Sequence, residues 1–184
     1  MLRSAPNGQP LARLGTQTEF RSPSVLAAVS ERRGWLKVIA SELSNGRRGW
    51  IPASAVTLAS DPWKIEATVS RRLVTVFRSG RVVRRFTVAV GSAVTPTPTG
   101  RFAVTDKIHM LGATPYGCCV LALSGHQPNV GQGWTGGDRL AIHATTMPAT
   151  IGQAASRGCL RAGDADARWL IDKVELGTIV QIDP

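Results

Sequence analysis

The chain has 184 residues, of which 43% are hydrophobic and 18% charged, and a formal net charge of +10. That is long enough for one domain, or for a small module plus a modest second one, and too apolar for a disordered chain. The excess charge is arginine, since lysine stands only at Lys37, Lys64, Lys107 and Lys173, and a basic surface favours polyanions or carboxylate-rich ligands. No recognition helix, zinc finger or RNA-binding sheet motif accompanies the charge, which argues against nucleic acid as a partner. No run approaches the ~18 apolar residues of a membrane helix, so no span is expected. The stretch from Met1 to Pro10 lacks an apolar targeting region.

Three cysteines leave at least one unpaired. Cys118 and Cys119 are neighbours in an apolar run. On a strand their side chains point to opposite faces, which disfavours a mutual disulfide and predicts two small buried side chains. No His/Cys group has metal-ligand spacing, so no metal is expected.

In chain order, Ala12 to Leu14, Ser24 to Val29 and Trp35 to Ile39 read as strands. Asn45-Gly46 reads as a turn and Ala53 to Val56 as a single helical turn before a last short strand, Val56 to Leu58. Short strands at close spacing with no long helix argue for a small barrel. Leu2-Arg3-x-x-Pro6, Gly34-Trp35-Leu36-x-Val38 and Gly49-Trp50-Ile51-Pro52 resemble bacterial Src-homology-3-like domains. That resemblance implies such a module over residues 1–60.

Ala59-Ser60-Asp61-Pro62 forms a turn-rich boundary. Beyond it, Ile65, Ala67 and Val69 alternate as in a half-buried strand, and Ser79-Gly80 joins two strands, Arg72 to Arg78 and Val82 to Val90. The prolines of Thr95-Pro96-Thr97-Pro98 interrupt pairing before a strand resumes at Phe102. Cys118 to Leu123 and Leu140 to His143 read as buried strands, and His126 falls in a turn. One helix follows, capped by Asp164, with Ala165, Trp169, Leu170 and Val174 at helical spacing. Gly177 to Ile182 returns to a strand.

Chemistry concentrates between His143 and Cys159, joined by a segment with the Pro and Gly signals of a loop. A free thiol has a pKa near ~8.5, so a cysteine nucleophile needs a base partner. Gly158 directly before the thiol permits a tight turn that opens backbone N–H groups to a developing oxyanion. Arg157 and Arg161 flank it and should favour thiolate and an anionic substrate. A lone His and a lone Cys are more often structural than catalytic.

Ordered motifs sharpen that reading. Thr97-Pro98-Thr99-Gly100-x-Phe102, Pro115-Tyr116-Gly117, Leu121-Ala122-Leu123-Ser124-Gly125, Ile142-His143-x-Thr145 and Ser156-x-Gly158-Cys159-Leu160-Arg161 together resemble the L,D-transpeptidase catalytic domain of the YkuD type. The resemblance covers residues 61–184. It implies a mainly β chain: a small Src-homology-3-like barrel, then a β-sandwich-like catalytic domain with one packed helix. It implies Cys159 as nucleophile, His143 as its base with the Ala144 carbonyl as orienter, and backbone N–H groups around Arg157, Gly158 and Cys159 as the oxyanion hole. Arg161, Ser156, Thr145 and Tyr116 are its substrate-side residues. Many members carry His where Arg157 stands, and a guanidinium cannot act as a base there.

The implied reaction is acyl transfer between peptidoglycan stem peptides, forming 3-3 cross-links with release of D-alanine and needing no organic cofactor. Carbapenem acylation of the cysteine, an extracytoplasmic site of action and an export signal outside this sequence are further implications. Resolution of the acyl-enzyme by water would make a cysteine L,D-carboxypeptidase instead. A non-catalytic cell-wall-binding protein is the third reading.

Overall fold

The computed structural model describes residues 1–112, 114–131 and 137–184. The first 52 residues form β1 (Leu2–Arg3), β2 (Pro10–Ala12), β3 (Ala27–Arg32), β4 (Trp35–Ile39) and β5 (Gly49–Pro52), paired in the order β2-β1-β5-β4-β3. Arg33 and Gly34 both adopt left-handed backbone angles, as the tight turn between β3 and β4 requires. Leu2, Leu36, Val38, Leu43 and Ile51 fill this small core. Two strand expectations shift. Residues 16–24 fold back on themselves through a Gln17–Pro23 bridge, so β3 starts only at Ala27. Ala53–Ala55 forms a single 3-10 turn, but Val56 to Leu58 is no strand; Leu58 is 61% exposed and no described strand pairs with the segment.

The second region comprises β6 (Trp63–Thr68), β7 (Leu73–Arg78), β8 (Arg81–Thr87), β9 (Val90–Gly91), β10 (Gly100–His109), β11 (Cys119–His126), β12 (Arg139–His143), β13 (Ala154–Ser156), β14 (Leu160–Arg161), α1 (Asp164–Lys173) and β15 (Ile179–Asp183). Eight of these strands form one sheet in the order β14-β12-β11-β10-β15-β6-β7-β8, while β9 and β13 pair separately. One buried cluster takes Ile65 and Val76 from one half of that sheet, Leu121 and Ile142 from the other, and Leu170 from α1. A single curled sheet therefore wraps the core together with the helix. Each buried aliphatic side chain there stabilises the fold by roughly 1.5–3 kcal/mol.

The helix differs in detail from its sequence reading. Gly163, not Asp164, occupies the N-cap position, and Asp164 and Asp166 lie in the first turn, where they complement the helix dipole. Ala167, Leu170 and Ile171 face the core, whereas Ala165 is exposed. Trp169 is half-buried, edge-on to Trp63 at 5.8 Å, with the Arg84 guanidinium 5.1 Å from its ring. Arg84 also pairs with Asp166 at 2.7 Å, tying the helix to β8.

The two sheets touch. Ala27 and Ile39 of the first pack with Ala103 of β10. His126 ends β11 rather than lying in a turn. Its ring reaches Asp138 at 2.8 Å and the Ser41 carbonyl at 2.7 Å, and its backbone pairs with the Asn45 side chain.

Candidate active site

The site lies on the face of β11 and β12 opposite the main core. Along β12, Leu140 and Ile142 point into the core, so by alternation Ala141 and His143 face the other way. The chain then leaves β12, makes a 3-10 turn at Pro148–Thr150 and the short strand β13, and returns as β14. The expected loop therefore contains regular pieces. Because β14 runs parallel to β12, with Ile142 opposite Leu160 and His143 opposite Arg161, the turn carrying Cys159 lies beside β12.

His143 is almost wholly buried, and its Nδ1 lies 2.5 Å from the Ala144 carbonyl oxygen. A carbonyl only accepts, so Nδ1 carries the proton and Nε2 keeps its lone pair. Burial lowers the imidazole pKa to about 4; the Ala144 bond opposes that shift, and the positive charge of Arg161 adds to it. The ring is therefore held neutral, with the Nε2 lone pair unprotonated. Tyr116 stands edge-on to it with ring centroids 4.9 Å apart. Gly117, at φ +61, lets that loop cross against the strand, since a Cβ there would come within 2.6 Å of the Ala144 Cβ.

Cys159 has the one free thiol. Burial raises its pKa, opposed by a backbone hydrogen bond at Ala141 and by Arg161. Desolvation therefore outweighs the positive charge of Arg161, against the expectation that the flanking arginines favour thiolate, and the thiol and the imidazole both rest neutral. The thiol donates to the Arg139 carbonyl at 3.8 Å. Arg161 acts electrostatically on His143, Cys159 and Tyr116 together, whereas Arg157 is exposed and its charge bears on Tyr116. Burial also raises the Tyr116 pKa.

The turn around the thiol is built from within. Ser156, expected on the substrate side, is buried and spends its hydroxyl on the loop. It accepts from the Gly158 N–H at 3.0 Å and donates to the Cys159 carbonyl at 2.6 Å. The Gly158 N–H is thereby occupied, whereas the Arg157 and Cys159 N–H groups have no hydrogen-bond partner among the described residues. Thr145 is likewise buried and its hydroxyl accepts from Met147 N–H at 3.1 Å.

Gln127, absent from the sequence reading, explains why position 158 is glycine. A Cβ there would lie 2.3 Å from Gln127 Nε2, and Gly158 has φ +116. Gln127 is buried, donates to the Pro96 carbonyl at 2.7 Å and accepts from Asn129 N–H. Thr95 Oγ1 donates to the Ser156 carbonyl at 3.3 Å. The Thr-Pro-rich loop thus braces the thiol turn from 61 residues away in sequence.

Cys118 and Cys119 form a disulfide, which corrects the expectation of two separate thiols. Strand alternation does not separate the two side chains because β11 begins at Cys119; Cys118 still belongs to the preceding turn. The Cys119 carbonyl accepts from Ala144 N–H at 3.0 Å, so the bridged pair adjoins the residue that orients His143. No described group of His, Cys, Asp and Glu could hold a metal ion.

The YkuD family model, an L,D-transpeptidase catalytic domain, matches residues 62–182. The chain belongs to this family. It is 32% identical over 123 residues to the Putative L,D-transpeptidase YkuD of Bacillus licheniformis, covering 67% of each chain. Among solved structures it is similar to L,D-transpeptidase 3 from Mycobacterium tuberculosis in complex with a faropenem-derived adduct, with TM-score 0.54 and 15% identity over 82% of this chain and 68% of that one. It is also similar to LdtMt1 in complex with imipenem, with TM-score 0.53 and 18% identity over 80% of this chain and 66% of that one. These L,D-transpeptidases share its fold, and the chain spans about two thirds of the length of each.

Proposed function

We propose that this protein is a peptidoglycan L,D-transpeptidase that forms 3-3 cross-links by cysteine acyl transfer. The observation that carries the reading is the His143 imidazole, buried, neutral and fixed by Ala144 with its free nitrogen available, on the strand beside the Cys159 turn. In the first step the Cys159 S–H leaves the Arg139 carbonyl and gives its proton to His143 Nε2. The sulfur then adds to the carbonyl of the third stem residue. The oxyanion takes the Cys159 N–H, and collapse breaks the C–N bond as the imidazolium returns its proton to departing D-alanine. In the second step an amine of a neighbouring stem attacks the thioester, His143 takes its proton, and the thiol is regenerated. Pairing a raised thiol with a lowered imidazole makes this general-base activation, not a preformed ion pair.

Arg161 is assigned to a substrate carboxylate because its charge reaches the whole site, and Tyr116 to the wall over the imidazole. The imipenem complex of one structural neighbour supports carbapenems as inhibitors, and the faropenem-derived adduct of another supports covalent capture of β-lactams. Membership of the family supports an extracytoplasmic site of action, at the cell wall or in the periplasm; no described helix is long and apolar enough to cross a membrane. The first sheet, residues 1–60, is assigned as a Src-homology-3-like module.

Incubation with a carbapenem followed by intact mass tests the nucleophile. One adduct is expected on the parent and none on Cys159→Ala; an adduct kept by the variant defeats the assignment. Tetrapeptide muropeptides should give a cross-linked dimer when an acceptor stem is supplied. Tripeptide alone, with acceptor present, would move the reading to an L,D-carboxypeptidase.

A further inference from the structure

The catalytic-face strands are covered in part by residues from the first region. Residues 16–24 form a preorganised hairpin: Thr18 N–H donates to the Ser22 carbonyl at 2.9 Å, and Ser24 N–H to the Thr16 carbonyl at 3.0 Å. The Thr18 hydroxyl accepts from the N–H groups of Phe20 and Ser22 and donates to Asp106 on β10. Asp106 is fully buried, and its second carboxylate oxygen has no partner among the described residues. Glu19 pairs with Arg139 of β12, whose side chain is only 6% exposed. Phe20, half-buried, packs on the apolar patch of Val120, Ala122 and Ala141 that also holds Tyr116 and Cys159, with the Arg139 guanidinium 5.9 Å from its ring.

We infer that this hairpin is a wall of the catalytic cleft and that Phe20 is a specificity-determining residue, packing against an aliphatic stretch of the substrate next to the acylated carbonyl. Three features carry it. The patch beneath Phe20 is the one that holds the thiol, so a substrate lying along it toward Cys159 meets the ring. The hairpin is anchored at Asp106 and Arg139 and tied internally, so the ring is presented rigidly, as a contact that selects substrate must be. Arg139 holds Glu19 with its side chain and receives the Cys159 thiol with its carbonyl, so one residue registers the wall against the sulfur. The ring offers apolar surface and no hydrogen-bonding group, so it recognises methyl and methylene groups.

The aliphatic ligand rests on the transpeptidase reading; the wall does not, and two arms separate them. In the 184-residue chain, the rate of Cys159 modification is compared for small iodoacetamide and bulky N-(1-pyrenyl)maleimide, with Cys159→Ala as the blank. In Phe20→Ala the bulky reagent should gain about tenfold relative to the small one, and in Phe20→Trp it should lose. An unchanged ratio in both variants places the ring outside the cleft. Equal acceleration of both reagents in Phe20→Ala makes the hairpin a cover of the thiol. Either result overturns the inference. In the second arm, Phe20→Ala should raise KM for stem tetrapeptide about tenfold at unchanged kcat. A fall in kcat alone overturns substrate contact by Phe20. A parent that modifies as expected but turns over no tetrapeptide defeats the transpeptidase reading and leaves the wall standing.

Discussion

The two faces of β11 and β12 carry residues from the same few positions of sequence and do opposite things. One face presents Cys119, Leu121, Leu123, Leu140 and Ile142 to a core closed by the rest of the sheet and by α1. The other presents Val120, Ala122, Ala141 and His143, with small side chains below and only partial cover from Phe20 and Tyr116. Strand alternation makes both faces obligatory partners, so packing on one face sets the positions of the groups on the other. The site is stiff because its back is core. Its front, by contrast, is covered by side chains from loops.

That contrast can be broken at the thiol turn first. Gly158→Ala should lower acylation about a hundredfold, since displacing the turn by even ~1 Å misaligns the nucleophile. A second change, Gln127→Ala, should restore part of the loss by removing the clash, and the remainder is the left-handed backbone angle. Full activity in Gly158→Ala would mean that the turn tolerates displacement.

Truncations on the two faces should differ next. Leu123→Ala, on the core face and 1% exposed, should cost about 3 kcal/mol in denaturant unfolding, whereas Met110→Ala at the edge of the site patch should cost about 1 kcal/mol or less. Equal costs would mean that the front face is packed as tightly as the back.

The third contrast is pH. His143 takes a proton at about pH 4 in the folded protein but near its ordinary 6.5 when unfolded. Its contribution is therefore fully present above pH 6.5 and is lost as pH falls toward 4, reaching about 3 kcal/mol. Between those limits His143→Gln should show a correspondingly flatter stability profile. An unchanged slope would assign the pH dependence to other groups. The smallest effect is a count: alkylation of the unfolded, unreduced chain should add one label, and prior reduction should add two more, from Cys118 and Cys119.

Much of this was legible in the sequence where chemistry is local. Ser79-Gly80 joins β7 to β8 with both residues left-handed, as the Gly-containing turn required. Alternation located Ile65 and Ala67, and helical spacing located Leu170. Element ends and long-range contacts were not legible. Gly163 rather than Asp164 holds the cap position, and local sequence does not separate the two because acidic residues favour both a cap and a first turn. Gln127 and Arg139 gave no signal, since nothing near them in sequence shows that one lies against Gly158 and the other meets Glu19.

Sequence by itself determined the residue types of the site: a His on an apolar strand, a Gly before a Cys, a flanking arginine, and motifs in the order the family carries them. Burial and pairing across the fold decided what those residues are in place. Desolvation left the thiol and the imidazole neutral against the pull of nearby charge. The Ser156 hydroxyl turned inward to hold the loop. A hairpin more than a hundred residues upstream of the thiol came to lie on its patch. Each outcome depends on which groups lose water together, and that is a property of the folded surface rather than of neighbouring letters.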